Sequence, residues 1–212
     1  MKAIAFDLDG TLIDSAEDIG LCLRKTLEEI GIPDKMPRDV RELIGGGVKA
    51  LLQRVLGAEF REEHVKVFRK HYLANPVVYT RPFEGIPEAL KVLKDRGFTL
   101  LVVTNKMEDL SREILKILGL LKYFDFIAGG DTYGEKKPSP LPLVNALKEV
   151  GLAPDQSLMV GDTDSDIISA RSAGAMTALA VWGYCGSVTQ KPDFILKKPE
   201  EIINLAGRVS GA

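Results

Sequence analysis

The segment AIAFDLDGTLIDS (3–15) places two carboxylates, Asp7 and Asp9, at the end of an apolar run, with Gly10 and Thr11 directly behind. Val, Ile, Leu and Phe suit a buried strand; two aspartates two residues apart do not, because each charge loses hydration on burial. In a pleated strand, residues i and i+2 point to one face, so both carboxylates would emerge together at the carboxyl edge. That edge is where open α/β sheets bind ligands. Like charges so close repel each other, and a hard divalent cation held by oxygen is one remedy. The alternative is a strand that runs into an ordinary Asp/Gly turn. Both stay open on this segment alone.

Three later segments end in polar residues in the same way. FTLLVVTN (98–105) closes on Thr104 and Asn105, a hydroxyl and an amide that can hydrogen-bond phosphate oxygens or simply begin a turn. GGDTYGEKKPSP (129–140) supplies Lys136 and Lys137, and Pro138 and Pro140 restrain the backbone that aims one ammonium; otherwise a lysine pair is a solvated surface. SLMVGDTDSD (157–166) brings Asp162, Asp164 and Asp166. Asp162 lies at the turn, and Asp166 falls near one face of the helix that follows. Helix capping and dipole compensation account for one of these carboxylates, not for all three.

The elements that must position these groups are legible in the hydrophobic pattern. Apolar, β-branched runs recur at 3–9, 98–105, 124–130, 157–162, 176–183 and, more weakly, 193–196. Their hydrophobicity is continuous rather than alternating, which predicts strands covered on both faces, as in a parallel sheet. Amphipathic segments lie between them. One spans 86–96, with Pro87 near its start and Gly97 at its end; a second carries Leu110, Ile114, Ile117 and Leu118 and stops at Gly119. A third opens at Ser139-Pro140, carries Leu143, Val144, Leu147 and Val150, and closes at Gly151. This alternation predicts an α/β fold with a doubly wound, mostly parallel sheet.

Residues 15–79 break the rhythm and contain no convincing strand. Ser15 and Asp18 have the spacing of a capping box before a helix running to Ile30, and further helical pieces fall at 39–44, 48–56 and 61–73. The expected organisation is an α/β core of 1–14 and 80–212, with an all-helical cap, 15–79, inserted after the first strand. Pro82 and Gly85 mark a hinge or sharp turn at the return. An insert that begins directly behind Asp7 and Asp9 would lie over them.

With 212 residues, 45% hydrophobic and 27% charged, the chain has the make-up of a soluble globular protein with a substantial core. A net charge of -2 supplies no basic field for nucleic acid or an anionic membrane. No apolar run approaches the roughly 18 residues of a membrane span, and Asp7 and Asp9 interrupt the only stretch that resembles a signal peptide. Cys22 and Cys185 lack metal-ligand spacing and are expected to be free thiols in a reducing cytoplasm. This size fits a monomer or a homodimer.

Together, DLDGT (7–11), TN (104–105), KKPSP (136–140) and GDTDSD (161–166) follow the motif order of the haloacid dehalogenase superfamily, which the chain resembles over essentially its whole length. The helical insert resembles that superfamily's small helical cap. Within it, FDLDGTLIDS, GGDTYGEKKPSPLPL and VWGY are similar to bacterial phosphoglycolate phosphatases. The resemblance implies a Mg2+-dependent phosphatase that hydrolyses a small phosphate monoester, 2-phosphoglycolate first among them, through an aspartyl-phosphate. It makes Asp7 the nucleophile and Asp9 the acid and base. Asp7, the backbone carbonyl of Asp9 and Asp162 would hold Mg2+. Thr104, Asn105 and Lys137 would hold the phosphoryl group, and Asp166 would orient Lys137 or a metal-bound water, while Asp164 is an exposed helix cap. Charge is consistent with these roles. A phosphate monoester carries about -1.5 to -2, and each unit repulsion from a carboxylate at ~4 Å and an effective dielectric of ~20 costs on the order of 4 kcal/mol. A divalent cation and a lysine offset most of that.

Specificity would come from the cap. In VRELIGGGVKALL (40–52), Gly45, Gly46 and Gly47 let backbone approach a ligand, and Arg41 or Lys49 can pair with a carboxylate. The alternative there is a plain helix-loop-helix turn with surface charge. Other functions compete. The superfamily's dehalogenases need neither the second acid nor the metal, so Asp9 argues against them. A sugar phosphomutase, or a phosphatase for a nucleotide, another sugar phosphate or pyrophosphate, would share the core residues. A non-catalytic metal-binding module would keep the fold without turnover.

Overall fold

A computed structural model describes residues 1–184 and 188–210. In chain order the strands are β1 (Ala3–Phe6), β2 (Ile13–Asp14), β3 (Arg81–Pro82), β4 (Thr99–Val103), β5 (Phe126–Ala128), β6 (Ser157–Gly161), β7 (Met176–Ala180) and β8 (Phe194–Leu196). The helices are α1 (Ala16–Glu29), α2 (Gly47–Leu56), α3 (Glu62–Ala74), α4 (Ile86–Asp95), α5 (Glu108–Ile117), α6 (Leu141–Glu149), α7 (Asp164–Ala173) and α8 (Glu200–Ser210).

Six strands form one parallel sheet in the order β5-β4-β1-β6-β7-β8. Continuous apolar sequence becomes burial on both faces. Ile4, Phe6, Leu100, Val102, Leu158 and Val160 pack with residues of α4, α5 and α8, while Ala3, Ala5, Leu101, Val103 and Met159 pack with α6 and α7. Each fully buried Ile, Leu or Phe on these faces contributes about 1.5–3 kcal/mol by leaving water. The fold is thus a doubly wound α/β sheet. Its strand order reverses between β1 and β6, and a sheet of this order binds ligands outside the carboxyl ends at that crevice. The chain reaches the crevice at Asp7 and at Asp162.

Between β2 and β3 lie α1, α2 and α3, and α3 packs on both of the others. Leu23, Leu27, Leu52, Leu56, Phe68 and Tyr72 are buried here. The segment expected to be helical at 39–44 holds only a 3-10 turn, Arg41–Leu43. β2 and β3 pair antiparallel, Ile13 with Pro82 and Asp14 with Arg81, where the insert leaves and returns. Two-residue strands carry no readable pattern. The return is fixed by buried Asp18, which accepts hydrogen bonds from the N–H groups of Val78, Tyr79 and Thr80 and from the Thr80 hydroxyl. Burial opposes its charge, but these donors hold its carboxyl below the usual range.

The capping box expected of Ser15 and Asp18 does not form, because both side chains have partners outside α1. The Ser15 hydroxyl donates to Asp9 Oδ1 at 2.5 Å. The first N–H groups of α1 instead donate to the Tyr184 hydroxyl, Ser15 at 2.5 Å and Ala16 at 3.0 Å. Cys22 is buried, and burial pushes its thiol up to about 12; Cys185 lies outside the described residues. Among the described residues no helix is long and apolar enough to cross a membrane.

Candidate active site

β1 stops at Phe6, so no pleat carries Asp7 and Asp9 to one face. Asp7 is still tied to β6, its N–H donating to Val160 O at 2.9 Å. Asp9 has already left the sheet and bridges to Ile13. The two carboxylates therefore meet different cations. Asp7 Oδ1 lies 2.8 Å from Lys137 Nζ, whereas Asp9 Oδ2 lies 2.9 Å from Lys106 Nζ.

Lys137 is buried and also donates to Asp166 Oδ1 at 2.6 Å. Burial works against its charge, but Asp166 and Asp7 outweigh it and hold the ammonium above the ordinary lysine value. Asp166 is the third residue of α7. Its Oδ2 accepts from Thr163 N–H and hydroxyl at 3.0 and 2.7 Å, closing the helix start, while Oδ1 holds Lys137. Asp164 does not cap α7; it accepts from Thr189 and Gln190 and anchors that loop.

Thr104 and Asn105 follow β4 and are buried. The Asn105 amide is committed to protein partners. Its Oδ1 accepts from Lys137 N–H, and its Nδ2 donates to Lys137 O and Gly45 O, each at 3.0 Å. It therefore fixes the backbone that carries Lys137 and joins it to the insert. The Thr104 hydroxyl oxygen accepts from Lys106 N–H at 3.2 Å and keeps its own proton to donate.

Asp162 follows β6. Its Oδ1 accepts from the Thr11 hydroxyl at 3.0 Å and its Oδ2 from Tyr184 N–H at 2.9 Å. Two glycines make room for it. A Cβ at Gly10 would collide with Asp162 Oδ2, and one at Gly183 with Asp162 Cβ and Gly10 O. Gly10 also has φ +85°, a left-handed conformation natural to glycine.

Carboxylate oxygens of Asp7, Asp162 and Asp166 lie within 4.8 Å of one another. Burial, reinforced by Asp7 and Asp166, pushes Asp162 up to about 8. Burial likewise lifts Asp7 to about 6, against the pull of Lys137. Three buried carboxylates face one buried ammonium here, so full ionisation of the three would leave two negative charges uncompensated. Asp7 Oδ1 has no aligned hydrogen-bond donor despite the nearby lysine. An oxygen-only donor set of clustered, buried carboxylates that outnumber the nearby ammonium fits Mg2+. Asp166 is neutralised by the Lys137 ammonium and closes the start of α7, whereas each Asp162 oxygen accepts a single neutral donor and keeps a lone pair, so Asp7 and Asp162 are the side chains best placed to hold the cation.

Above this floor lies a cavity between sheet and insert. Asp7, Asp9, Thr104, Asn105 and Lys106 line its base, and Ile19, Leu43, Ile44, Val48, Leu51 and Phe68 supply an apolar roof. Of the residues singled out in 40–52, Gly45 and Gly47 reach the cavity, but Arg41, Gly46 and Lys49 are not among its lining residues. Arg41 lies 3.9 Å from Asp14 and 3.8 Å from Asp39, and Lys49 pairs with Glu62. The glycine run meets protein rather than open space: a Cβ at Gly47 would approach Asn105 O to 2.8 Å. Lys106, Arg69 and Tyr72, which also line the cavity, escape the sequence pattern. Lys106 could have been noticed as the residue directly after Thr104 and Asn105, whereas Arg69 and Tyr72 sit on an ordinary amphipathic helix.

With this geometry in view, comparisons with known proteins are specific. The family model described as haloacid dehalogenase-like hydrolase matches residues 4–180. A phosphoglycolate phosphatase of Aquifex aeolicus is 57% identical over 205 residues, covering 97% of this chain and 96% of that protein. One from Neisseria gonorrhoeae is 38% identical, covering 96% of this chain and 89% of that protein. A solved structure described as a predicted phosphoglycolate phosphatase from Haemophilus somnus superposes with a TM-score of 0.87 at 32% identity, over 97% of this chain and 98% of that one. A sheet whose order reverses beside Asp7 and Asp162, and a family match running from β1 to β7, agree: the chain belongs to the haloacid dehalogenase-like hydrolases.

Proposed function

We propose that the protein is a Mg2+-dependent phosphatase that hydrolyses 2-phosphoglycolate to glycolate and phosphate, with residues 15–79 acting as a cap over the reacting groups. The observation that carries this reading is the setting of Asp7: a buried carboxylate at the sheet's switch point, 2.8 Å from Lys137 and clustered with Asp162 and Asp166. The names of the relatives described above supply the substrate.

In this reading an Asp7 oxygen attacks phosphorus and the bond to the leaving oxygen breaks. Asp9, as the acid, gives that oxygen its proton. Asp9 then takes a proton from water, which attacks the phosphorus of the aspartyl-phosphate, and the bond to Asp7 breaks to release phosphate. Lys137 neutralises the phosphoryl oxygens and is held to that task by Asp166 and by the Asn105 clamp on its backbone. The Thr104 hydroxyl donates to a phosphoryl oxygen. Asp7, Asp162 and the backbone carbonyl of Asp9 would hold Mg2+, which when bound would supply Lewis-acid neutralisation of the phosphoryl charge.

The test is phosphate release from a panel of small phosphate esters, with 2-phosphoglycolate included and no bisphosphate activator. Release should be fastest on 2-phosphoglycolate, should stop in chelator and return with Mg2+, and should fall at least about 10³-fold in Asp7→Asn. Near-normal turnover by Asp7→Asn would remove the covalent route, and full activity in chelator would remove the metal.

A further inference from the structure

We infer that Lys106 is the residue that recognises the carboxylate of the leaving group, so that preference for an acidic ester is built into the core beside Asp9. The inference rests on the phosphoglycolate reading and adds a residue to it.

Among the described residues, three cations besides Lys137 border the site: Lys106, Arg69 and Lys136. Two of them are poorly placed to discriminate. The Arg69 side chain is 37% exposed, with Asp109 3.5 Å away, and Lys136 is exposed, so water screens both. The Lys106 side chain is only 7% exposed. Its ammonium lies 4.5 Å from the centroid of the Tyr72 ring and donates to the Tyr72 hydroxyl at 3.2 Å. With Asp9 at 2.9 Å, that accounts for two of its three N–H donors; the third is available to the cavity the side chain lines. Apolar neighbours such as Ile19, Leu43 and Phe68 keep the surroundings dry, which strengthens a charge pair made there.

The position follows from the chemistry of the ester. Asp9 must come within hydrogen-bond reach of the leaving oxygen to protonate it. In the phosphate ester of a 2-hydroxy acid, the carboxylate oxygens are three bonds from that leaving oxygen. A cation already in contact with Asp9 is therefore within reach of the carboxylate when the phosphoryl group lies at Asp7. A neutral leaving group of the same size would offer Lys106 only a weaker acceptor, so discrimination comes from a charge-assisted hydrogen bond in a desolvated site.

The experiment compares kcat/KM for 2-phosphoglycolate and for 2-hydroxyethyl phosphate, which replaces the carboxylate by a neutral alcohol. It uses the Mg2+-loaded wild type, Lys106→Met and Lys106→Arg, with folding checked by circular dichroism. Because Lys106 also touches Asp9, a loss common to both esters reports on Asp9; the ratio between esters reports on recognition. The wild type should favour 2-phosphoglycolate. Lys106→Met should cut that preference by roughly 10- to 100-fold, mainly through KM for the acidic ester, and Lys106→Arg should restore part of it. An unchanged preference in Lys106→Met, with both esters slowed equally, would overturn the assignment while leaving the phosphoglycolate reading intact. A wild type with no preference for the acidic ester would overturn that reading, and this inference with it.

Discussion

Removing divalent cations should make the protein less stable as pH rises from mildly acidic to mildly alkaline, opposite to the usual behaviour of a carboxylate-rich protein. The cause is Asp162. Its folded value is about 8 against 3.8 for an unperturbed aspartate, so the folded chain keeps a proton that the unfolded chain has released. A shift of about four units corresponds to on the order of 6 kcal/mol, fully present below pH 4 and lost as pH rises through about 8. Asp7, lifted to about 6, acts in the same direction over the lower part of this window. The two contributions overlap, because the charge on Asp7 is part of what lifts Asp162. Asp18 and Glu108, held below their ordinary values, lose their contribution only in acid and add no slope above about pH 5. Urea unfolding followed by circular dichroism in chelator, at several pH values between about 5 and 8, measures the slope. It should be several kcal/mol downward, should flatten when Mg2+ takes the proton's place, and should shrink in Asp162→Asn to the part that Asp7 supplies. A flat or rising metal-free curve would refute the reasoning, as would an Asp162→Asn variant that keeps the full slope.

Two substitutions test how backbone and insert hold the site. Gly10→Ala adds a Cβ that collides with Asp162 Oδ2 at φ +85°; it should cost about 1–2 kcal/mol in stability and weaken Mg2+ binding by roughly 10–100-fold, measured by calorimetric titration, and Mg2+ affinity equal to the wild type would show that Asp162 does not depend on this glycine. Asp18→Ala strands three N–H groups and a hydroxyl at the return of the insert; it should lower stability by about 2–4 kcal/mol in urea unfolding, and a loss below about 0.5 kcal/mol would mean the return is held by other contacts.

The sheet was legible because parallel strands are buried on both faces and so write continuous apolar runs; all six runs lie over strands of the main sheet. Five of the six runs extend one to three residues past the strand's end, since a strand stops where its backbone leaves the ladder, and Asp9, Asn105 and Asp162 close their runs in sequence only. Asp7 and Asp162 could be singled out because charge at a strand's carboxyl end conflicts with burial unless something compensates it, whereas Asp166, on a helix face, and Lys137, beside Pro138, took their roles from the motif resemblance. Arg41 and Lys49 could not be placed, because a helix surface charge looks the same whether it faces a cavity or, as here, Asp14 or Glu62. Lys106 hid for the complementary reason. A lysine is ordinarily solvated, and only the fold reveals that Tyr72 and Asp9 enclose this one.

Tyr184 shows why an uncharged stretch can matter as much as the carboxylates. Its N–H donates to Asp162 Oδ2, and its hydroxyl receives Ser15 and Ala16 N–H and donates to Asp14 Oδ1 at 2.8 Å. One residue thus spans from the far wall of the carboxylate cluster to the first turn of the insert. Trp182 adds a parallel tie, its indole N–H donating to Thr11 O at 3.0 Å, while the Thr11 hydroxyl donates to Asp162. Burial, with Asp9 adding, lifts the Tyr184 hydroxyl well above its ordinary value, so it keeps the proton that it gives to Asp14. The start of α1 and the side chain of Asp162 are therefore set by the same residue. The orientation of the insert and the geometry offered to a cation cannot be specified independently in this fold.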